Sequence, residues 1–96
     1  MEYTALEYKG FEEDLVEEHT SYSGTGFIYK FFFENGYGVS VIKHEYSYGN
    51  EEDLFEVAVL YNDRVVYDER IFRGNGLQGW MTNRDVLDTL KDVKEL

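Results

Sequence analysis

Apolar and polar positions alternate between residues 27 and 68 in a pattern typical of antiparallel β-strands. Phe27 to Glu34 is rich in aromatic residues, Asn35-Gly36 follows, and a β-branched run begins at Val39. An Asn-Gly pair between two such runs is a strong signal for a β-hairpin with a two-residue turn. That turn predicts these opposing pairs: Glu34 with Tyr37, Phe33 with Gly38, Phe31 with Ser40, and Tyr29 with Ile42.

A second pair of strands is predicted from Leu54 to Tyr61 and from Arg64 to Asp68, with Asn62-Asp63 as the turn. Phe55, Val57, Val59 and Tyr61 alternate along one side of the first of these strands. The two hairpins together predict an antiparallel four-stranded β-meander. In the aromatic strand, the predicted core face carries Phe27, Tyr29, Phe31 and Phe33. Its other face mixes apolar and charged side chains, so we expect that face to be partly covered: Ile28, Lys30, Phe32 and Glu34.

A short N-terminal helix is predicted from Phe11 to His19. Residues at helical spacing form one face of it, and acidic residues fill most other positions. The face residues are Phe11, Leu15, Val16 and His19, and the acidic residues are Glu12, Glu13, Asp14, Glu17 and Glu18. The segment from Ser21 to Gly26 is then a flexible connection to the first strand.

A C-terminal helix is predicted after an irregular stretch from Glu69 to Gly79. Thr82 is the expected N-cap and Asp85 the third helical residue of a capping box. Met81 and Val86 are placed to form a hydrophobic staple across the same turn. The apolar face expected to pack on the sheet consists of Val86, Leu87, Leu90, Val93 and Leu96.

These elements predict one domain over residues 1–96, of the α+β class. In it, an antiparallel four-stranded β-meander carries an amphipathic C-terminal helix on one face, beside a short N-terminal helix. At 96 residues with 43% hydrophobic content, the chain has enough apolar material for one core. The chain has no cysteine, which excludes disulfides and thiolate metal sites and suits a reducing cytoplasm. No signal peptide and no apolar run long enough to span a membrane is expected.

Charge narrows the class of partner. Twenty Asp and Glu against nine Lys and Arg give a net charge of −11, which argues against direct binding to nucleic acid or to anionic lipid. A basic protein surface is the electrostatic complement. The acidity is concentrated in the segment from Glu12 to Glu18, in the loop Glu51, Glu52 and Asp53, and on the last helix.

The motifs that could indicate a catalytic, metal or nucleotide site are better explained by structural roles. Residues 74–79 match G-x-G-x-x-G, but no βαβ unit is predicted around them, so we expect a glycine-rich loop that retains only the capacity to hold a small anion. His19 and His44 lack metal-ligand spacing, and the loop from Glu45 to Asp53 lacks the EF-hand pattern. No serine lies in G-x-S-x-G. We therefore predict no catalytic residues, no metal, no cofactor and no enzyme activity.

A partner-binding surface is the remaining prediction. Carboxylates on the last helix recur at steps of three and four, about 4.5 to 6 Å apart along the axis, which is comparable with phosphate spacing in a nucleic-acid strand. Aromatic residues in the predicted loops add interface anchors. The predicted partner-binding residues are Asp85, Asp88, Asp92, Glu95, Glu51, Glu52, Asp53, Tyr46, Tyr48 and Trp80.

Four segments resemble those of small acidic proteins from bacteriophages and prophages. They are Glu34-Asn35-Gly36-Tyr37-Gly38, Tyr46-Ser47-Tyr48-Gly49, Val57-Ala58-Val59-Leu60 and Gly79-Trp80-Met81-Thr82, within residues 27–96. The resemblance carries no functional residue and implies a setting, since such proteins often inhibit host defences, including restriction and CRISPR systems. The expected function is therefore a non-enzymatic inhibitor that occupies the basic surface of a host nuclease. The alternatives are an accessory protein that homodimerises through its sheet and a binder of a small anion at the glycine-rich loop.

Overall fold

The alternating aromatic and β-branched segments form one antiparallel sheet. The computed structural model describes residues 2–21, 24–74 and 76–96, and within these ranges the sheet has six strands. The strands are β1 Leu15–Thr20, β2 Phe27–Phe32, β3 Tyr37–Lys43, β4 Phe55–Tyr61, β5 Arg64–Val65 and β6 Leu77–Met81. Strands β1 to β5 follow chain order across the sheet, and β6 pairs with β4 on the same side as β5. β1 and β6 therefore lie at opposite edges.

One face of the sheet forms the core. Tyr29 and Phe31 of β2 are almost completely buried on this face. The matching positions in β3 and β4 are equally buried: Val39, Val41, Val57 and Val59. Helix α1, Asn83–Lys94, contacts β3, β4 and β6 and adds Val86, Leu90 and Val93 to the same core. The α+β class and the C-terminal helix on one sheet face are thus confirmed.

The start of α1 matches the sequence prediction. The Asp85 N–H donates to the Thr82 hydroxyl at 3.1 Å, and the Thr82 N–H donates to the Asp85 carboxylate at 3.0 Å. This reciprocal pair is a capping box, which satisfies backbone donors that the helix itself leaves unpaired. Met81 and Val86, on either side of the cap, are both buried in the core.

The predicted N-terminal helix is wrong. Glu12–Asp14 forms only a 3-10 turn, and residues from Leu15 onward form β1, which pairs antiparallel with β2. A helix this short is marginal in water, whereas strand pairing satisfies the same backbone groups along an existing sheet. The pairing also sets Glu17 opposite Lys30, with their charged groups 4.0 Å apart.

The register predicted for the first hairpin is wrong by one residue. Phe31 lies opposite Val39 rather than Ser40, because Phe33 pairs with Tyr37 and the turn therefore contains Glu34 in addition to Asn35 and Gly36. Gly36, the last of the three, has φ 89°. A one-residue slip moves a whole set of side chains to the other face of a sheet. The observed register puts Val39 and Val41 in the core, where the predicted one would have put Ser40 and Ile42. Asn35 secures the turn by donating its amide to the Val93 carbonyl of α1 at 2.9 Å.

The four-strand count is also wrong. β1 replaces the predicted helix, and β6 begins inside the stretch that we expected to be irregular. β6 pairs with β4 through Phe55 opposite Met81 and Ala58 opposite Leu77, with an irregularity between them. Sequence periodicity misses such a strand, because two of its five residues are neither apolar nor β-branched. The predicted strand from Arg64 to Asp68 is shortened to β5.

An ion pair formed by a buried lysine holds the loop between β3 and β4. Lys43 is 1% exposed, and its ammonium group lies 3.0 Å from the Asp53 carboxylate and 3.8 Å from the centre of the Phe55 ring. Asp53 also accepts hydrogen bonds from the N–H and hydroxyl of Thr4 at 2.9 and 2.6 Å. These contacts tie the N-terminal segment and the turn carrying Glu51 and Glu52 to the sheet.

Candidate interaction surface

The exposed indole of Trp80 is held in an unusual backbone conformation. Trp80 lies in edge strand β6 with φ 54°, and 55% of its surface is exposed. A bulky residue rarely adopts this left-handed region, and residues held there cluster at functional sites. The strained residue coincides with the irregularity in the β4–β6 pairing, as is common where a bulge redirects a side chain.

The loop between β3 and β4 supports this conformation. The Trp80 N–H donates to the Tyr48 carbonyl at 3.3 Å, and the Tyr48 N–H donates to the Glu56 carboxylate at 2.8 Å. The Tyr48 and Trp80 rings are stacked, with centroids 5.8 Å apart and an interplanar angle of 16°. The two aromatic residues therefore form one stacked, exposed pair.

Two glycines make the close approach of loop and strand possible. A Cβ at Gly79 would overlap the Cβ of Tyr48, and a Cβ at Gly49 would lie 2.7 Å from the Trp80 nitrogen. Gly49 also has φ 94°, which favours glycine. Gly79 belongs to the G-x-G-x-x-G match, so part of that motif serves packing within an antiparallel sheet.

Carboxylates of α1 flank the aromatic pair on one side. Between β6 and α1 lies a depression of about 340 Å³, which we call the helix-side groove. Trp80 lines it together with Asp85, Asp88 and Asp92. Asp85 is engaged in the capping box, and Asp88 pairs with Arg84 at 3.2 Å on the exposed helix surface. Asp92 forms no ion pair within the described ranges.

A second depression adjoins the loop. This loop-side groove, about 360 Å³, is lined by Tyr48, Trp80, Glu51 and Glu52 among others. Both glutamates are exposed on the 3-10 turn Asn50–Glu52. Trp80 thus lies between two sets of carboxylates that are about 35 residues apart in the sequence. Their convergence at one edge of the sheet is a product of the fold.

Three predicted site residues lie elsewhere. Asp53 turns inward and accepts hydrogen bonds from Lys43 and Thr4. Desolvation is the largest single influence on the pKa of Asp53 and raises it. The hydrogen bonds together outweigh desolvation, so the pKa of Asp53 is lowered. Glu95 is the C-cap of α1 and lines neither groove. Tyr46 is 85% exposed, but its ring faces His44 rather than Trp80.

The N-terminal acidic segment does not join the two grooves. Glu12–Asp14 and β1 lie at the edge of the sheet opposite β6. Two of the three acidic segments therefore converge and the third is separate. Glu18 is engaged by a hydrogen bond from the Tyr8 hydroxyl, and Asp14 pairs with Lys94 at 2.9 Å.

Within the described residues, the other sequence motifs form no assembled metal site. Among the described residues, no group of three or more His, Asp or Glu is arranged to hold a metal ion. Of the glycine-rich match, Leu77, Gln78 and Gly79 lie in β6, and Asn75 lies outside the described residues. β6 is antiparallel to β4, whereas the strands of a βαβ unit are parallel. In the described ranges no helix is long and apolar enough to cross a membrane.

Sequence reasoning did not nominate four residues that line the helix-side groove: Gln78, Gly79, Met81 and Thr89. Thr89 lies one turn beyond Asp85 and donates its hydroxyl to the Asp85 carbonyl at 2.9 Å. Its position on the helical wheel, about 40° from Asp85, was a signal that could have placed it there. Gln78 had no such signal, because its strand was not predicted.

Comparisons with models of protein families, with curated proteins and with solved structures found no match to this chain. The functional interpretation therefore depends on the chemistry of this surface.

Proposed function

We propose that this chain is a non-enzymatic binding protein that occupies the basic nucleic-acid-binding surface of a partner protein. The carrying observation is the stacked Tyr48–Trp80 pair, exposed between the carboxylates of the helix-side and loop-side grooves. Aromatic side chains anchor protein interfaces, and surrounding charges steer the partner and fix its orientation.

Charge and geometry favour a partner that normally binds nucleic acid. The chain has a net charge of −11, and Asp88 and Asp92 present carboxylates one helical turn apart beside an exposed ring. Nucleic acids likewise combine regularly spaced anions with flat aromatic bases. The resemblance of four segments to small phage proteins extends the proposal to inhibition of a host defence nuclease of the CRISPR or restriction type.

The test is affinity capture from a bacterial host lysate, followed by competition with duplex DNA. We expect the tagged chain to retain a nuclease or another nucleic-acid-binding protein, and duplex DNA to displace it. The variant Asp88→Lys/Asp92→Lys should lose that partner, because it reverses charge without touching the capping box. Retention of the same partner by this variant would contradict the proposal.

Matched aromatic variants test whether the partner binds this surface specifically or binds any exposed aromatic side chain. Trp80→Asn removes the indole, while asparagine tolerates the left-handed backbone. Tyr67→Asn removes an aromatic of similar exposure, 56%, that lines neither groove. We expect the first variant to lose the partner and the second to keep it. Equal retention by both would mean that the aromatic pair is not an anchor.

Homodimerisation through the sheet is the second candidate function. On the face opposite α1, a row of paired positions runs from Phe32 through Gly38 and Leu60 to Val65. Phe32 and Val65 are 51% and 59% exposed, which leaves apolar surface uncovered. Sedimentation of the wild type and of Phe32→Ser/Val65→Ser would test it, and a monomer in both would eliminate this candidate.

A further inference from the structure

We propose that the helix-side groove receives an arginine side chain of the partner, with the guanidinium stacked on Trp80 and paired with Asp88 and Asp92. This inference rests on the proposed function and specifies its contact chemistry. The feature that carries it is an exposed ring that stacks on a second ring and lines one groove together with carboxylates of α1.

The indole already stacks on one neighbouring ring. Tyr48 stacks on Trp80 and lines the loop-side groove, but it does not line the helix-side groove. The helix-side groove therefore reaches Trp80 without Tyr48 in its lining. A planar cation placed there would extend the stack as a third layer, and tryptophan is the best aromatic partner for such a cation.

The carboxylates on the groove wall complement a cation in that position. Asp88 and Asp92 are both exposed and lie one turn apart on α1, and both line the groove with Trp80. Arg84 already places its Nε 3.2 Å from Asp88, so this carboxylate accepts a guanidinium within the chain itself. Because that pair is solvent-exposed, it contributes little free energy and can be exchanged for one with the partner.

Arginine fits this combination better than lysine. Its guanidinium is planar, stacks on aromatic faces and donates two parallel hydrogen bonds to a carboxylate. The lysine ammonium is a compact, strongly hydrated charge without a flat face. A groove bounded by a ring and two carboxylates therefore selects for shape as well as for charge.

Trp80 is the single tryptophan of the chain, so its fluorescence reports on this groove directly. The probes are three capped peptides in which glycine alternates with arginine, with lysine or with neutral citrulline. At about 0.1 M NaCl we expect the arginine peptide to change the Trp80 emission and to bind about two- to fivefold more tightly than the lysine peptide. The citrulline peptide should not bind measurably.

Charge-matched variants test the position of the cation. Asp88→Asn/Asp92→Asn should weaken the arginine peptide and remove its advantage over lysine. Glu13→Gln/Glu69→Gln makes the same change in net charge at exposed positions outside the groove and should keep that advantage. Arg84→Gln should strengthen binding, because it removes the cation that now pairs with Asp88.

The inference is overturned if the lysine peptide binds as tightly as the arginine peptide, or if both double variants behave alike. These results would leave the proposed function standing when the captured partner is still displaced by DNA. Conversely, the peptides could show arginine selectivity while the capture experiment retains no nucleic-acid-binding partner. That result would contradict the proposed function but would still identify the groove as an arginine-binding site.

Discussion

At the scale of single residues, Lys43 and Trp80 bear the clearest energetic costs. Lys43 is a charged side chain with 1% exposure, and burial of a charge is tolerated when it is paired and hydrogen-bonded. Asp53, the Thr4 carbonyl and the Phe55 ring provide that compensation. Trp80 bears a backbone cost at φ 54°, which its stacking on Tyr48 and its hydrogen bond to the Tyr48 carbonyl offset.

Asp68 gives a residue-scale prediction on pH. Hydrogen bonds from Arg70, the largest influence, lower the pKa of Asp68 from 3.8 to about 2. A carboxyl with a lowered folded pKa contributes stability above its unfolded pKa and loses it as the pH falls through the folded value. We expect the free energy of unfolding contributed by Asp68 to be complete above about pH 5 and to disappear toward about pH 2.

Chemical denaturation of wild type and Asp68→Asn across this pH range measures the effect. The stability difference between the two proteins should be largest near neutral pH and should shrink as Asp68 becomes protonated. Asp63→Asn, at an exposed position paired with Lys30, is the comparison variant. A difference for Asp68→Asn that stays constant down to about pH 2 would show that Asp68 has no lowered pKa.

At the scale of elements, the junction of β6 and α1 joins the surface to the core. Met81 is buried and Thr82 caps the helix. Trp80 lies immediately before them in edge strand β6, with its side chain exposed. Asp85 takes part in the cap and also lines the helix-side groove. The position of α1 relative to Trp80 is therefore set by the same few residues that start the helix.

Removal of the cap is the element-scale prediction. Thr82→Ala should lower the free energy of unfolding by about 1 kcal/mol, because the Asp85 N–H loses its acceptor. Urea denaturation monitored by circular dichroism measures it. Thr82→Ser retains the hydroxyl and should retain most of the stability. Equal losses in the alanine and serine variants would mean that the hydroxyl does not cap α1.

At the scale of the whole molecule, the charge of −11 affects folding and binding in opposite directions. Like charges repel within the compact state, while the same charges attract a basic partner. The distribution of the charges matters as well as their sum. Glu51 and Glu52 converge with the α1 carboxylates, whereas Glu13 lies at the opposite edge of the sheet.

Salt separates the two effects. Raising NaCl from about 0.1 M to about 1 M shortens the Debye length from about 10 Å to about 3 Å. We expect the free energy of unfolding to rise while affinity for the captured partner falls. Asp88→Asn/Asp92→Asn should show a weaker salt dependence of binding than the wild type. Partner affinity that does not change with salt would contradict an electrostatic interface.

Some elements follow from local sequence. The Thr82–Asp85 capping box and the apolar face of α1 were predictable because neighbouring residues supply all the groups involved. The core face of β2 was likewise predictable from alternation. Residues of the interaction surface could be nominated from their chemistry, but their grouping could not. Strand β6 has no periodic signal, and Asp53 is drawn away from the surface by Lys43 and by Thr4, which is distant in the sequence.

The sequence by itself determined the α+β class, the helix start, the buried face of the central strands and the acidic balance, since these depend on periodicity, capping and composition. The tertiary structure decided the hairpin register, the conversion of the N-terminal segment to β1, and the union of Trp80 with Tyr48 and the two groups of carboxylates. These depend on long-range pairing, in which a segment adopts the conformation that best satisfies the backbone groups and apolar faces of distant neighbours.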